Sequence, residues 1–175
     1  MKNNYEIRED TVVIFLTSRL YGSFETVVSL SELPRLQDFK GRWGIKHDDR
    51  IPDRFYVRSG ISKSADVKKV LSHHRWLTNA PDDLVVDHIN HNTLDNTNSN
   101  LRLIYQYQNL QNRKGASKNC KSGERGVCWK KQIRKWVSQI SVNGTRKHIG
   151  YFEKFDDAVK AVKEERLKIM KYSTN

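Results

Sequence analysis

Asp87 and His88 stand side by side after the short apolar run Leu84-Val-Val. Asn100 follows 12 residues after His88, and Asn109 follows 9 residues later. Those residue types at that spacing suit the hydrolysis of a phosphodiester. That reaction needs a group to take a proton from water and a charge to balance the phosphate and its leaving oxygen. It also needs something to hold both in line. His88, with an ordinary pKa near ~6.5, is a base at neutral pH. Asp87 offers an anionic oxygen and Asn109 a neutral one, a pair that suits Mg²⁺ or Mn²⁺. Consecutive strand residues point to opposite faces, so Asp87 can face a cation while His88 faces the water. Asn100 supplies an orienting amide.

The elements that must position these groups are short. Leu84-Val-Val predicts a strand ending at Asp87-His88. Residues 89–100 are rich in Asn, Asp, Thr and Ser, which favour turns over ladders. Leu101-Arg-Leu-Ile104 predicts a second strand, and Tyr105 to Arg113 a helix. Upstream, Thr11–Thr17 and Glu25–Leu30 are β-branched runs separated by a turn at Tyr21-Gly-Ser, and Arg54–Arg58 predicts another strand. Ser31–Gln37 predicts a short helix with Ser29 or Ser31 near its cap, and Ser64–Thr78 contains a helix ending before Asn79-Ala-Pro81. Downstream, Lys114–Gly123 reads as a polar, basic linker. Strands are expected at Arg125–Lys130, Arg134–Val142 and Thr145–Phe152, with a hairpin turn at Asn143-Gly144. A helix is expected from Phe155 to Tyr172.

The net charge of +12 is unevenly placed. Residues 1–83 carry 14 Lys/Arg against 12 Asp/Glu, and residues 84–113 carry 2 against 2. Residues 114–175 carry 16 against 6, so the tail holds +10. Such asymmetry points to a polyanionic partner, most often nucleic acid. In the second strand of the tail Trp136, Ser138, Ile140 and Val142 share one face, and Lys135, Val137, Gln139 and Ser141 the other. In the third strand Arg146 and His148 share a face, with Ile149 and Tyr151 expected opposite. Trp136 is expected in the core, and Trp129 either there or along DNA sugars. With 37% apolar residues and a mean hydropathy of −0.77, the chain can build modest cores. No stretch approaches the roughly 18 apolar residues of a membrane span, and the N-terminus lacks the apolar core of a signal peptide. Cys120 and Cys128 form no metal-binding pattern and read as free thiols. A structural zinc site drawn from His73, His74, His88 and His91 is an alternative metal reading, although no cysteine lies near these residues.

The central segment resembles the HNH endonucleases, the ββα-metal nucleases, most closely the homing type of phages and introns. The resemblance implies that His88 is the water-activating base, that Asn100 supports the site's loop, and that Asp87 and Asn109 are the metal ligands. His74-Arg75 resembles the family's His-Arg pair, whose role is mainly structural. His91 stands where related sequences usually have Gly. In the tail, Arg125-Gly-Val, Trp136, Ile140, Arg146-Lys-His-Ile-Gly150, Phe152 and Asp156-Asp-Ala158 resemble the ethylene-response-factor type of plant DNA-binding domain, the Apetala-two fold. By position, Arg125, Gln139, Arg146 and His148 fall on that family's DNA-contacting places, and Lys130 and Lys135 add phosphate contacts. Cys128 stands where the plant domains carry Arg, and His148 where they carry Trp, so no base preference carries over.

The expected fold class is α+β: a ββα-metal nuclease unit, then a three-stranded antiparallel sheet packed on one helix. The expected divisions are a β-rich extension at 1–59, the nuclease at 60–113, a linker at 114–121 and the DNA-binding domain at 122–175. The expected activity is metal-dependent cleavage of double-stranded DNA, by a cytoplasmic monomer of a bacterial host or phage, with no membrane and no small-molecule cofactor. A non-catalytic DNA-binding regulator is the alternative.

Overall fold

The computed structural model describes residues 1–64, 67–113, 115–117, 119–142 and 144–174, with side chains omitted at 61–64 and 67–69. It is a mixed α and β structure that divides into two compact units, Met1–Tyr105 and Gln106–Asn175.

The first unit is built on two sheets and a hairpin-like pair. β1 (Tyr5–Arg8), β2 (Thr11–Ser18) and β3 (Gly22–Ser29) form an antiparallel meander. A 3-10 turn at Leu30–Glu32 leads into α1 (Leu33–Asp38). Pro34 sits in the first turn of α1, where its missing N–H costs nothing. β4 (Gly44–His47), β5 (Phe55–Ser64) and β6 (Val67–Ser72) form the second sheet, in that order. α2 (His73–Thr78) leads to β7 (Val85–His88), β8 (Asp95–Asn96) and β9 (Leu101–Ile104). β7 pairs antiparallel with β9, and β8 pairs parallel with β3. The helix expected within Ser64–Thr78 occupies only its last six residues; most of the rest is strand, and Ala65 and Asp66 lie outside the described residues.

One apolar core joins these parts. Val12, Ile14, Leu16 and Val28 of the meander pack with Leu36, Trp43, Val57, Leu77 and Leu101. The boundary expected after residue 59 therefore cuts through a shared core, because the early strands alone have nothing else on which to bury their apolar face. His73 belongs to this core. Its ring is fully buried, 4.3 Å from Trp43 and stacked on Trp76 at 6.2 Å. Neither ring nitrogen has a hydrogen-bond partner among the described residues.

In the second unit α3 (Gln106–Asn109) and a 3-10 turn at Leu110–Asn112 precede the sheet β10 (Val127–Lys130), β11 (Lys135–Val142) and β12 (Thr145–Phe152). α4 (Phe155–Ile169) covers one face, burying Val127, Ile140, Ala158, Val162 and Met170. Asp156 and Asp157 in its first turn and Arg166 and Lys168 in its last complement the helix dipole. Gly126 has φ +86, and a Cβ there would lie 2.4 Å from the Gln139 carbonyl oxygen, so only glycine lets this strand approach its neighbour. Of the expected Asn143-Gly144 turn, Asn143 lies outside the described residues, and Gly144 has φ +79. Lys114 and Lys118 of the expected linker also lie outside them. Among the described residues no helix is long and apolar enough to cross a membrane.

Burial pushes the His73 imidazole down from 6.5 to about 3, with the neighbouring His74 adding to the shift. A base whose folded pKa lies below its unfolded value stabilises the fold above the unfolded pKa. That stability is lost as pH falls from 6.5 toward 3, by about 1.4 kcal/mol per pH unit. Urea midpoints of wild type and His73→Phe, compared between pH 7 and pH 4, should show a shallower acid slope in the variant, by the equivalent of one proton. Identical slopes would contradict a buried neutral His73.

Candidate active site

α2 ends at Asn79, which adopts the left-handed conformation with φ 48, before Ala80-Pro81 prevents continuation. Arg35 donates to the carbonyl oxygens of Leu77 and Trp76 and to Asn79 Oδ1, closing the helix end. Arg75 donates to the carbonyl oxygens of Leu84 (2.8 Å), Ala80 (3.1 Å) and Pro81 (2.9 Å). The turn from α2 into β7 is thus held by one guanidinium, and β7 enters at a fixed position.

β7 delivers Asp87 and His88, both buried, to opposite sides of the strand. Asp87 lies across the ladder from Arg102, and its Oδ2 accepts Nε at 2.8 Å and Nη2 at 2.6 Å of that guanidinium. His88 faces the β4–β5–β6 side, where the His74 ring meets it edge-on at 5.4 Å and Tyr56 lies at 6.4 Å. Burial pushes the His74 imidazole down to about 4. His88 is also held below its ordinary range by burial, against the raising effect of its hydrogen bond to Asn96 and of Asp87 and Asp95. Arg54 adds a small lowering effect. The neutral imidazole is the form a base requires.

The His88 tautomer follows from a chain of three hydrogen bonds. Thr26 Oγ1 donates to the Leu94 carbonyl oxygen at 2.7 Å, because a carbonyl can only accept. It must then accept from Asn96 Nδ2, 2.9 Å away. That turns Asn96 Oδ1 toward His88 Nε2 at 3.2 Å, so Nε2 carries the hydrogen. The proton-accepting lone pair is left on Nδ1. Asn96, which is 1% exposed, is the positioning residue that sequence reasoning missed. It sits in a turn-rich run where many Asn residues look alike, and its partner Thr26 lies 70 residues away.

Asn100 does something else. Its Oδ1 accepts the Asn90 backbone N–H at 2.9 Å, and its Nδ2 donates to the Asp95 carbonyl oxygen at 2.8 Å. It therefore braces both limbs of the loop that follows His88. Within that loop His91 has φ 66, and its N–H reaches the His88 carbonyl oxygen at 3.0 Å. His91 is thus a non-glycine residue held in the left-handed region, where glycine carries no steric cost.

Asp87, His88 and Asn100 are brought together in the first unit. Asn109 is the last residue of α3, in the second unit. Among the described residues no three His, Cys, Asp or Glu side chains form a metal-binding group, so the zinc alternative lacks its ligand cage. His73 lies in an aromatic core instead, and Cys120 and Cys128 are free thiols.

In the second unit the ladder pairs Lys130 with Lys135, Gln139 with His148 and Ser141 with Arg146 on the face away from α4. The register shifts between Ser138 and Gln139, leaving Ile149 as the extra residue of a bulge. The bulge moves Tyr151 onto the same face as His148, and their rings lie 4.6 Å apart. The expectation that Tyr151 opposes His148 is thereby corrected, since uninterrupted alternation does not survive a bulge. Trp136 packs on Phe155 at 4.8 Å, and Trp129, 45% exposed, meets Trp136 edge-on on that same side. Arg125 is placed differently from the other five candidate contacts. It donates to the carbonyl oxygens of Gln111 (3.0 Å), Arg113 (3.3 Å) and Leu110 (3.3 Å), bracing the 3-10 turn.

Residues 79–111 match the family model described as HNH endonuclease. Over 124 residues the chain is 36% identical to an uncharacterized HNH endonuclease of Acanthamoeba polyphaga mimivirus. The match covers 67% of this chain and 56% of that relative, so the chain spans little more than half the curated relative's length. No solved structure matches the chain.

If the hydrogen-bond chain from Thr26 sets the imidazole, nitrogen-15 spectra of wild type at pH 7.5 should show His88 as the Nε2–H tautomer. Asn96→Ala should give a mixture of tautomers. An unchanged spectrum in the variant would remove Asn96 from this role.

Proposed function

We propose that the chain is a metal-dependent DNA endonuclease of the HNH type that hydrolyses a phosphodiester in duplex DNA. The observation that carries this reading is the placement of the buried His88 ring. Asn96 holds it as the Nε2–H tautomer beside Asp87, in the segment that matches the HNH endonuclease model. In this role His88 Nδ1 takes the proton from the attacking water, and the products carry 5′-phosphate and 3′-hydroxyl ends. Asn100 acts through the loop it braces.

Asp87 and Asn109 would hold the cation, with Arg102 orienting the Asp87 carboxylate. This donor set is hard oxygen and fits Mg²⁺ or Mn²⁺, which retain water and accept further oxygens from the substrate phosphate. When bound, such an ion offsets charge on the phosphate and on the leaving oxygen. The ββα arrangement of β7, β9 and α3 is part of this proposal.

The second unit is proposed as the anchor that selects the site, in the manner of the homing type. Its exposed face aligns Lys130, Lys135, Gln139, Arg146 and His148, with cations suited to phosphates and Gln139 or Arg146 suited to base edges. Arg125, which lies on a contact position of the Apetala-two resemblance, supports that surface from within through the carbonyls it binds.

Plasmid cleavage in Mg²⁺, with chelator as control, tests the reading. His88→Ala should lose about 10²–10⁴-fold in rate, with duplex affinity unchanged. Cleavage at the wild-type rate would remove His88 from the role of base. Binding without cleavage by the wild type in either metal would favour a non-catalytic regulator instead.

A further inference from the structure

The outward face of the β4–β5–β6 sheet borders His88 through Tyr56. Odd-numbered residues of this sheet, Ile45, Val57 and Leu71, pack on the core. Alternation therefore sends the even-numbered ones outward. The register sets Lys46 opposite Tyr56 and Arg58 opposite Ser72. The row continues into α2, where His74 lies 5.9 Å from Tyr56 and 5.4 Å from His88. A concavity of about 650 Å³ lies over this face, lined by Lys46, Tyr56, Arg58, Ser72 and His74, and by the turn from His47 to Arg50. It opens onto the same rings that surround His88.

The charges on this face favour an anion. Asp48 and Asp49 also line the concavity, but both are engaged locally: Asp48 Oδ1 accepts the Arg50 backbone N–H at 3.0 Å, and Asp49 lies 3.6 Å from His47 Nδ1. Lys46 and Arg58 are exposed and form no ion pair among the described residues. Two unpaired cations with flanking hydroxyls suit phosphate oxygens, which position a duplex without reading it.

We infer that this face is a second DNA-contact surface, on which Lys46 and Arg58 grip the phosphodiester backbone and deliver it beside His88, with Tyr56 and Ser72 as neutral donors. The inference rests on the nuclease reading and deepens it. The basic second unit anchors the duplex, and this sheet seats the strand to be cut. It also gives residues 44–72, which lie outside the matched family segment, a part in the reaction.

The test uses the full chain carrying Lys46→Ala and Arg58→Ala together, with binding to a linear duplex measured across a salt series in chelator. The slope of log K against log salt should fall by about two, since each phosphate contact contributes about 0.9, and affinity at low salt should drop about tenfold. The Mg²⁺-dependent rate at sub-saturating DNA should fall in step with the affinity. Lys40→Ala, an exposed cation elsewhere in the same unit, should leave the slope unchanged. A wild-type slope in the double variant, or an equal fall in Lys40→Ala, would overturn the surface. His88→Ala judges the base separately. If it is inert while the double variant keeps the wild-type slope, only the surface fails. If it still cleaves while the double variant shows the smaller slope, the surface stands and the assignment of His88 fails.

Discussion

The candidate site depends on a two-residue parallel pairing, Asp95-Asn96 against Val27-Val28. So short a ladder is weak alone. It persists because Val28 is buried in the core and because β3 adds further bonds along the loop. The Val27 N–H reaches the Leu94 carbonyl oxygen at 3.0 Å, and Ser29 Oγ accepts the Asn98 N–H at 2.9 Å. This seam places Asn96 under His88 and gives it Thr26 as a partner. Without β3, residues 89–100 would keep their own turns, which fix local shape, and the bond from Thr93 Oγ1 to the Phe55 carbonyl oxygen, but Asn96 would lose the strand that positions it.

The residues around His88 trade solvation for definition. Burial lowers the affinity of His74 and His88 for protons, and Asn96, Asp87 and Asp95 return part of that loss to His88. The outcome is an imidazole that is neutral at physiological pH yet lies in a polar setting with a defined tautomer. Two guanidiniums act as fasteners at the entrance to this region. Arg35 closes α2 and Arg75 closes the following turn, each by collecting carbonyl oxygens that a helix end would otherwise leave exposed. The histidine–arginine pair at 74–75 thus divides its work: the ring lines the site and the guanidinium holds the backbone.

In the second unit a similar economy makes one face core and the other polar. Gly126 allows β10 to close on β11, and Ser138 Oγ donates to the Ala158 carbonyl oxygen, a close approach beside the larger contact of Trp136 with Phe155. The bulge at Ile149 re-aims Tyr151 and gathers an aromatic pair beside the cations. The helix pattern was legible for Ala158, Val162 and Met170, all buried, but Leu167, in the same run, stays 60% exposed.

The sequence by itself determined the local elements and the chemistry on offer. β-branched runs marked β2 and β3, short apolar runs marked β7 and β9, and the types and spacing of Asp87, His88, Asn100 and Asn109 marked a candidate hydrolytic site. Only the tertiary structure decided the rest. The early strands share a core with the site, α3 groups with the later unit, Asn96 touches His88 while Asn100 braces its loop, and Arg125 braces a 3-10 turn. Each of these depends on a contact between residues distant in sequence or on a register shift. No local propensity encodes that Thr26 will stand beside Asn96, or that one extra residue in β12 will turn Tyr151 to the other face. The candidate letters are readable in one dimension; the hydrogen-bond chain that gives His88 its tautomer exists only once the first sheet has folded against the loop.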